Sequence, residues 1–71
     1  MVHSITNKTE NGYSKIEVSQ IENDSVRIAI LNFDFNNQLQ DVNHIDLDKN
    51  QFYSFIGTML FVQSKIRSNE K

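Results

Sequence analysis

The sequence predicts an α+β fold: an antiparallel β-meander of three or four strands packed against one C-terminal α-helix. Three observations carry this. Before Asp48, β-branched and aromatic residues recur at period two. Short clusters of turn-forming residues separate those runs, so sequential strands must run antiparallel. From Asp48 onward the apolar period becomes helical and has a clear start. The whole chain, 1–71, reads as one small domain, with about 1–10 and 68–71 as the segments expected to be flexible.

The stretch "GYSKIEVSQI" alternates from Lys15 to Gln20, with Ile16 and Val18 on one face, and reads as a strand. "ENGY" precedes it, and Asn-Gly favours a two-residue hairpin turn because both residues tolerate positive φ. Folding about that turn would set Ile5 opposite Val18 and Val2 opposite Ile21, making residues 2–8 a further strand at the front. "ENDS", Glu22 to Ser25, is the next turn. "VRIAILNFDF" follows. Val26, Ile28 and Ile30 share one phase, and Leu31, Phe33 and Phe35 the other. Either a bulge near Ile30 restores the phase, or the strand is central and apolar on both faces. Asn36 and Asn37 then mark a tight turn. "QLQDVNHIDL" returns as a more polar strand, suited to a sheet edge.

The helix is expected over about 49–67. Asp48 can cap its first turn, and Gln51 three residues on completes a capping box. Leu47 and Phe52 stand at the positions of a hydrophobic staple. Phe52, Phe55, Ile56, Met59, Val62 and Ile66 form a broad stripe at about 100° per residue, the natural covering for the sheet. Apolar residues also lie outside that stripe. Tyr53, Leu60 and Phe61, with small Gly57 and Ser64 between them, outline a second face. A helical Gly costs roughly 1 kcal/mol against Ala, which is usually offset by the close approach of another element. The second face can be covered by the N-terminal segment, by a second copy in an isologous dimer, or by a different protein.

Size favours the dimer. A chain of 71 residues buries a small core and normally needs disulfides, a structural metal or oligomerisation. It has no Cys, and His3 and His44 fit no metal-ligand spacing. Calcium is no better served: "DVNHIDLD" lacks the Gly and the closing Glu of a calcium loop. No cofactor is expected, since the two Gly, Gly12 and Gly57, cannot build a phosphate-binding loop. Nor is enzymatic activity. A set built from His44, Asp46 and a Ser has nothing to position it. No signal peptide or membrane-spanning segment is visible, so the expected location is cytoplasmic, in a bacterial host if phage-encoded. Abundant Asn, Ile and Lys with no Pro suggest an AT-rich genome, such as a low-GC bacterium or its virus.

Strands, a turn and then "IDLDKNQF" opening a helix resemble the layout of the PC4-like single-strand-binding proteins. That resemblance implies nucleic-acid binding, with Tyr13, Phe33 and Phe35 as stacking residues. Charge opposes it. Lys8, Lys15 and Arg27 stand against Glu10, Glu17, Glu22, Asp24, Asp34, Asp41 and Asp46, and phosphate binding needs a basic surface. The net charge of −2 suggests the reverse, with Asp34, Asp41 and Asp46 as an acidic partner-binding surface. The function expected from the sequence is therefore non-catalytic: a homodimeric protein-interaction module, of the kind a phage or mobile element uses to modulate or inhibit a host protein. Single-stranded nucleic-acid binding is the alternative.

Overall fold

The structure is a computed structural model that describes residues 2–70. Four strands, β1 (Val2–Thr9), β2 (Gly12–Glu22), β3 (Ser25–Asp34) and β4 (Leu39–Asp48), precede one helix, α1 (Lys49–Ser68). The sheet is an antiparallel meander in the order β1-β2-β3-β4. The α+β meander with a single C-terminal helix is thus the observed fold. The front strand is present and spans most of the N-terminal segment expected to be flexible. In the expected C-terminal tail, Ser68 belongs to α1 and Asn69 caps it. Met1 and Lys71 lie outside the described residues.

The first hairpin turns one residue earlier than Asn-Gly predicts. Its loop is Glu10–Asn11, Thr9 pairs Gly12, and Ile5 faces Ile16 while Val2 faces Ser19. Gly12 is drawn into the strand because it fits where little else does. It lies between β1 and β3, its φ is 157°, and a Cβ there would collide with the Phe33 carbonyl and reach 2.8 Å from Asp34 Cα.

β3 runs straight through Ile30 and Leu31 without a bulge, so it is the central strand apolar on both faces. The irregularities lie in its neighbours, at Ile21 in β2 and at Gln40 in β4. The bulge at Gln40 moves Leu39 onto the face opposite Ile45 and Leu47, because side chains alternate at period two. Asp34 builds the β3–β4 turn. Its carboxylate accepts from the backbone N–H of Asn36 at 2.8 Å and of Gln38 at 3.0 Å. Asn37 supplies the left-handed residue, with φ 64°.

The helix starts where its caps dictate. Asp48 Oδ1 accepts from Gln51 N–H at 2.8 Å, and Gln51 Oε1 accepts from Asp48 N–H at 3.0 Å, a complete capping box. Lys65 and Arg67 in its last turn complement the helix dipole.

The core differs most from expectation. Of the helix stripe, only Phe52 and Ile56 are half-buried; Phe55, Met59, Val62 and Ile66 are exposed. The helix meets the sheet through its first turns and then leaves it. No apolar side chain among the described residues is buried. The molecule measures 40 × 37 × 17 Å, with a radius of gyration of 14.7 Å, where a compact chain of this length would have about 11 Å.

Candidate functional site

Strand pairing sorts the side chains onto two faces of the sheet. One face carries Ile5, Ile16, Val18, Val26, Ile28, Ile30, Ile45 and Leu47. The helix starts on this side, where Phe52 and Tyr53 line a cleft of about 580 Å³ together with His3, Val18 and Val26. Beyond the cleft the apolar face is open: Ile5 is 69% exposed, Ile45 57%, and Ile16 and Ile30 are also exposed. The exposed helix stripe from Phe55 to Ile66 is equally without a covering element.

The second helix face is open too. Tyr53, Leu60 and Phe61 are exposed, with Lys65 Nζ lying 5.5 Å from the Phe61 ring centroid. Ser64 is exposed, and a Cβ at Gly57 would meet nothing within 4 Å. The close approach that Gly57 suggests is therefore not made within the chain. The N-terminal segment does not wrap over this helix; it pairs as β1 at the sheet edge.

The other sheet face is mixed, with Leu31, Leu39 and Val42 sharing it with polar and aromatic residues. Tyr13 and Phe33, directly paired across β2 and β3, stack with centroids 4.8 Å apart and planes 11° from parallel. Lys15 Nζ lies 5.7 Å from the Phe33 centroid, and Tyr13 OH donates to Asn37 Oδ1 at 2.9 Å. Further along the face, Arg27 and Asp46 form a two-pronged ion pair, Nε to Oδ1 at 2.8 Å and Nη2 to Oδ2 at 3.0 Å. Phe35, the third expected stacking residue, falls in the β3–β4 turn, is 73% exposed and does not join the stack.

The three carboxylates of the expected acidic surface are not brought together. Asp34 is occupied in its turn, also accepting from Gln40 Nε2 at 2.9 Å. Asp46 is held by Arg27. Asp41, five residues from Asp46 in one regular stretch of strand, points to the opposite face. Strand alternation alone separates them, because five residues are an odd step. The hydrogen bond from Arg27, and its charge, hold the Asp46 carboxyl below its ordinary value of 3.8 and raise Arg27. The lowered carboxyl value means the pair's contribution to stability is present above the ordinary value and is lost as pH falls through the folded-state value. The Asp46 side-chain NMR resonance should accordingly titrate with a midpoint below 3.8, and Arg27→Gln should return it toward that value. An unmoved midpoint in Arg27→Gln would show that the pair does not form in solution.

Asp46 is held by Arg27, and among the described residues no side-chain hydrogen bond joins His44 to Asp46 or to a Ser. Among the described residues no three His, Cys, Asp or Glu gather in a metal-holding group, and no helix is long and apolar enough to cross a membrane. Compared with protein-family models, curated proteins and solved structures, the chain matches none.

Proposed function

We propose that the chain is a non-catalytic protein-interaction module whose first partner is a second copy of itself. The observation that carries this is exposed area. The chain exposes 6013 Å² at a mass of 8.3 kDa, where a folded monomer of that mass exposes about 4,600 Å². The excess is about 1,400 Å² per copy, or about 2,800 Å² for a pair, within the range of obligate dimer interfaces. The excess is also apolar and self-complementary in kind. One chain offers both an uncovered helix stripe, Phe55, Met59, Val62 and Ile66, and an uncovered sheet face, Ile5, Ile16, Ile30 and Ile45. Two copies related by a twofold axis satisfy both surfaces at once. A third element from the same chain is not needed.

A role in modulating a host protein, as an accessory protein of a phage or mobile element, would fall to the surface that the dimer leaves open. Asp34, Asp41 and Asp46 offer no single acidic patch for it.

The test is the mass in solution from submicromolar to hundreds of micromolar, for the parent, Met59→Asp and Leu60→Asp. These substitutions sit on the two exposed apolar flanks of α1. The parent should run as a dimer, and at least one substitution should yield a monomer. A parent that is monomeric and cooperatively folded across the whole range would overturn the proposal.

A further inference from the structure

We infer that two copies close by exchange: the exposed stripe of α1 in one copy lies on the apolar sheet face of its partner, so that each copy completes the other's core. The inference rests on the self-association proposed above and adds which surface meets which.

Three observations carry it. The first is where the helix goes. α1 meets β3 and β4 of its own sheet, with Phe52 and Ile56 half-buried, and then leaves them. Phe55, Met59, Val62 and Ile66 stay in water, as do Ile5, Ile16, Ile30 and Ile45 on the sheet. Helix-on-helix contact alone would leave both sheet faces open, and sheet-on-sheet contact alone would leave both helix stripes open. Two closed arrangements cover all four surfaces. In one, like meets like, sheet on sheet and helix on helix. In the other, each helix lies on the partner's sheet.

The second observation is charge, which separates those two arrangements. Through Asp48 the chain carries eight Asp or Glu and three Lys or Arg, a net of −5. α1 carries Lys49, Lys65 and Arg67 with no Asp or Glu, a net of +3. Register puts Lys8, Lys15 and Arg27 on the far side of the sheet and leaves Asp41 on the apolar face. Like-with-like closure sets −5 against −5 and +3 against +3. Exchange sets a basic helix against an acidic body, twice. Complementary charge steers docking to the second arrangement and suppresses the first.

The third observation is size. From Phe55 to Ile66 the stripe runs about 16 Å along the helix. From β1 to β4 the sheet is about 14 Å across. One stripe laid over the strands therefore spans the whole open face. A helix of a different protein would fit the sheet as well, but it would leave the stripe of α1 in water. The second copy is the occupant that removes both exposures, and a different protein becomes an outcome of the test.

The chain has no Cys, so single introduced thiols report contact cleanly. Ile30→Cys marks the sheet face and Met59→Cys the helix stripe; Ile45→Cys, on the edge strand, takes the place of Ile30→Cys if the central strand does not tolerate the change. One variant is isotope-labelled so that mass tells the chains apart. The two are mixed, unfolded and refolded together, and treated with a short bis-maleimide. The mixed product, one chain of each kind, should dominate, and either variant alone should give little. Like-with-like products in the lead, or a mixed product no more abundant than random coupling gives, would overturn the inference while leaving the dimer standing. So would a dimeric parent that yields no product. A parent monomeric at every concentration would remove the dimer and the exchange together, and would leave both faces to a different protein. Salt gives a second, independent readout. Exchange predicts that the dimer dissociation constant rises as salt is raised from millimolar to physiological, because attraction is screened. Like-with-like closure predicts a fall, because repulsion is screened, and a fall would overturn the inference.

Discussion

Gly12→Ala should cost the fold about 3 kcal/mol or more, among the largest effects available to a surface-sized substitution. Gly12 is the one position where three strands meet without a side chain: it pairs Thr9 in β1 and Asp34 in β3. An added methyl group would run into the Phe33 carbonyl, and backbone cannot step aside as a flexible side chain can. Relief requires β2 and β3 to separate at the end where Tyr13 and Phe33 stack. The same substitution should therefore remove the stack, visible as a change in the near-ultraviolet circular dichroism of the tyrosine. Asn11→Ala, in the adjoining exposed loop, is the control and should shift the urea midpoint by far less. If Gly12→Ala unfolds at the parent's midpoint, β2 and β3 do not approach this closely in solution.

The elements of this fold were legible because each is written locally. Asp48 and Gln51 announce the start of α1 and make the very bonds expected of them. Asn36–Asn37 and "ENDS" mark turns where turns occur. Register was less legible, since it depends on contacts made across strands. Asn-Gly points to a turn centred on itself, yet the close packing of β3 favours Gly12 as a strand residue and moves the loop back by one. The Gln40 bulge likewise has no local signature, and it decides which face Leu39 joins. The candidate sites followed the same division. Tyr53, Gly57, Leu60, Phe61 and Ser64 follow from helical period alone, and the structure leaves all five exposed. The acidic set failed because Asp41 and Asp46 are near in sequence but opposite in space. The stacked pair was hidden for the converse reason: Tyr13 and Phe33 are far apart in sequence, and only strand register sets them side by side.

Unfolding should depend on protein concentration, and the dependence should vanish in Met59→Asp. The physical ground is that a single copy has almost nothing to oppose its chain entropy. Folding fixes each residue at a cost of about 1–2 kcal/mol, and only buried apolar area offsets a cost of that size. A lone copy leaves Phe55, Met59, Leu60, Phe61, Val62 and Ile66 in water, with no buried apolar side chain among its described residues. If a second copy supplies the missing burial, as proposed, folding and association become one equilibrium. Each tenfold dilution then lowers the stability of the dimer by about 1.4 kcal/mol. The midpoint of thermal or urea unfolding should fall steadily on dilution, with association and secondary structure lost together. A carboxylate at position 59 would be desolvated in the interface, which costs several kcal/mol when no partner is supplied. Met59→Asp should therefore be monomeric, poorly cooperative and insensitive to dilution. Gly57 gives an internal check on which helix face closes. A methyl group there meets nothing within the chain, so Gly57→Ala should add up to about 1 kcal/mol to a free helix. In the Met59→Asp background that gain should appear. In the parent dimer it should be absent or reversed if a second helix lies against Tyr53, Gly57 and Leu60. A parent midpoint that holds constant over a hundredfold dilution would mean that one copy supplies its own core, contrary to the exposed area of every apolar residue on α1 beyond Ile56.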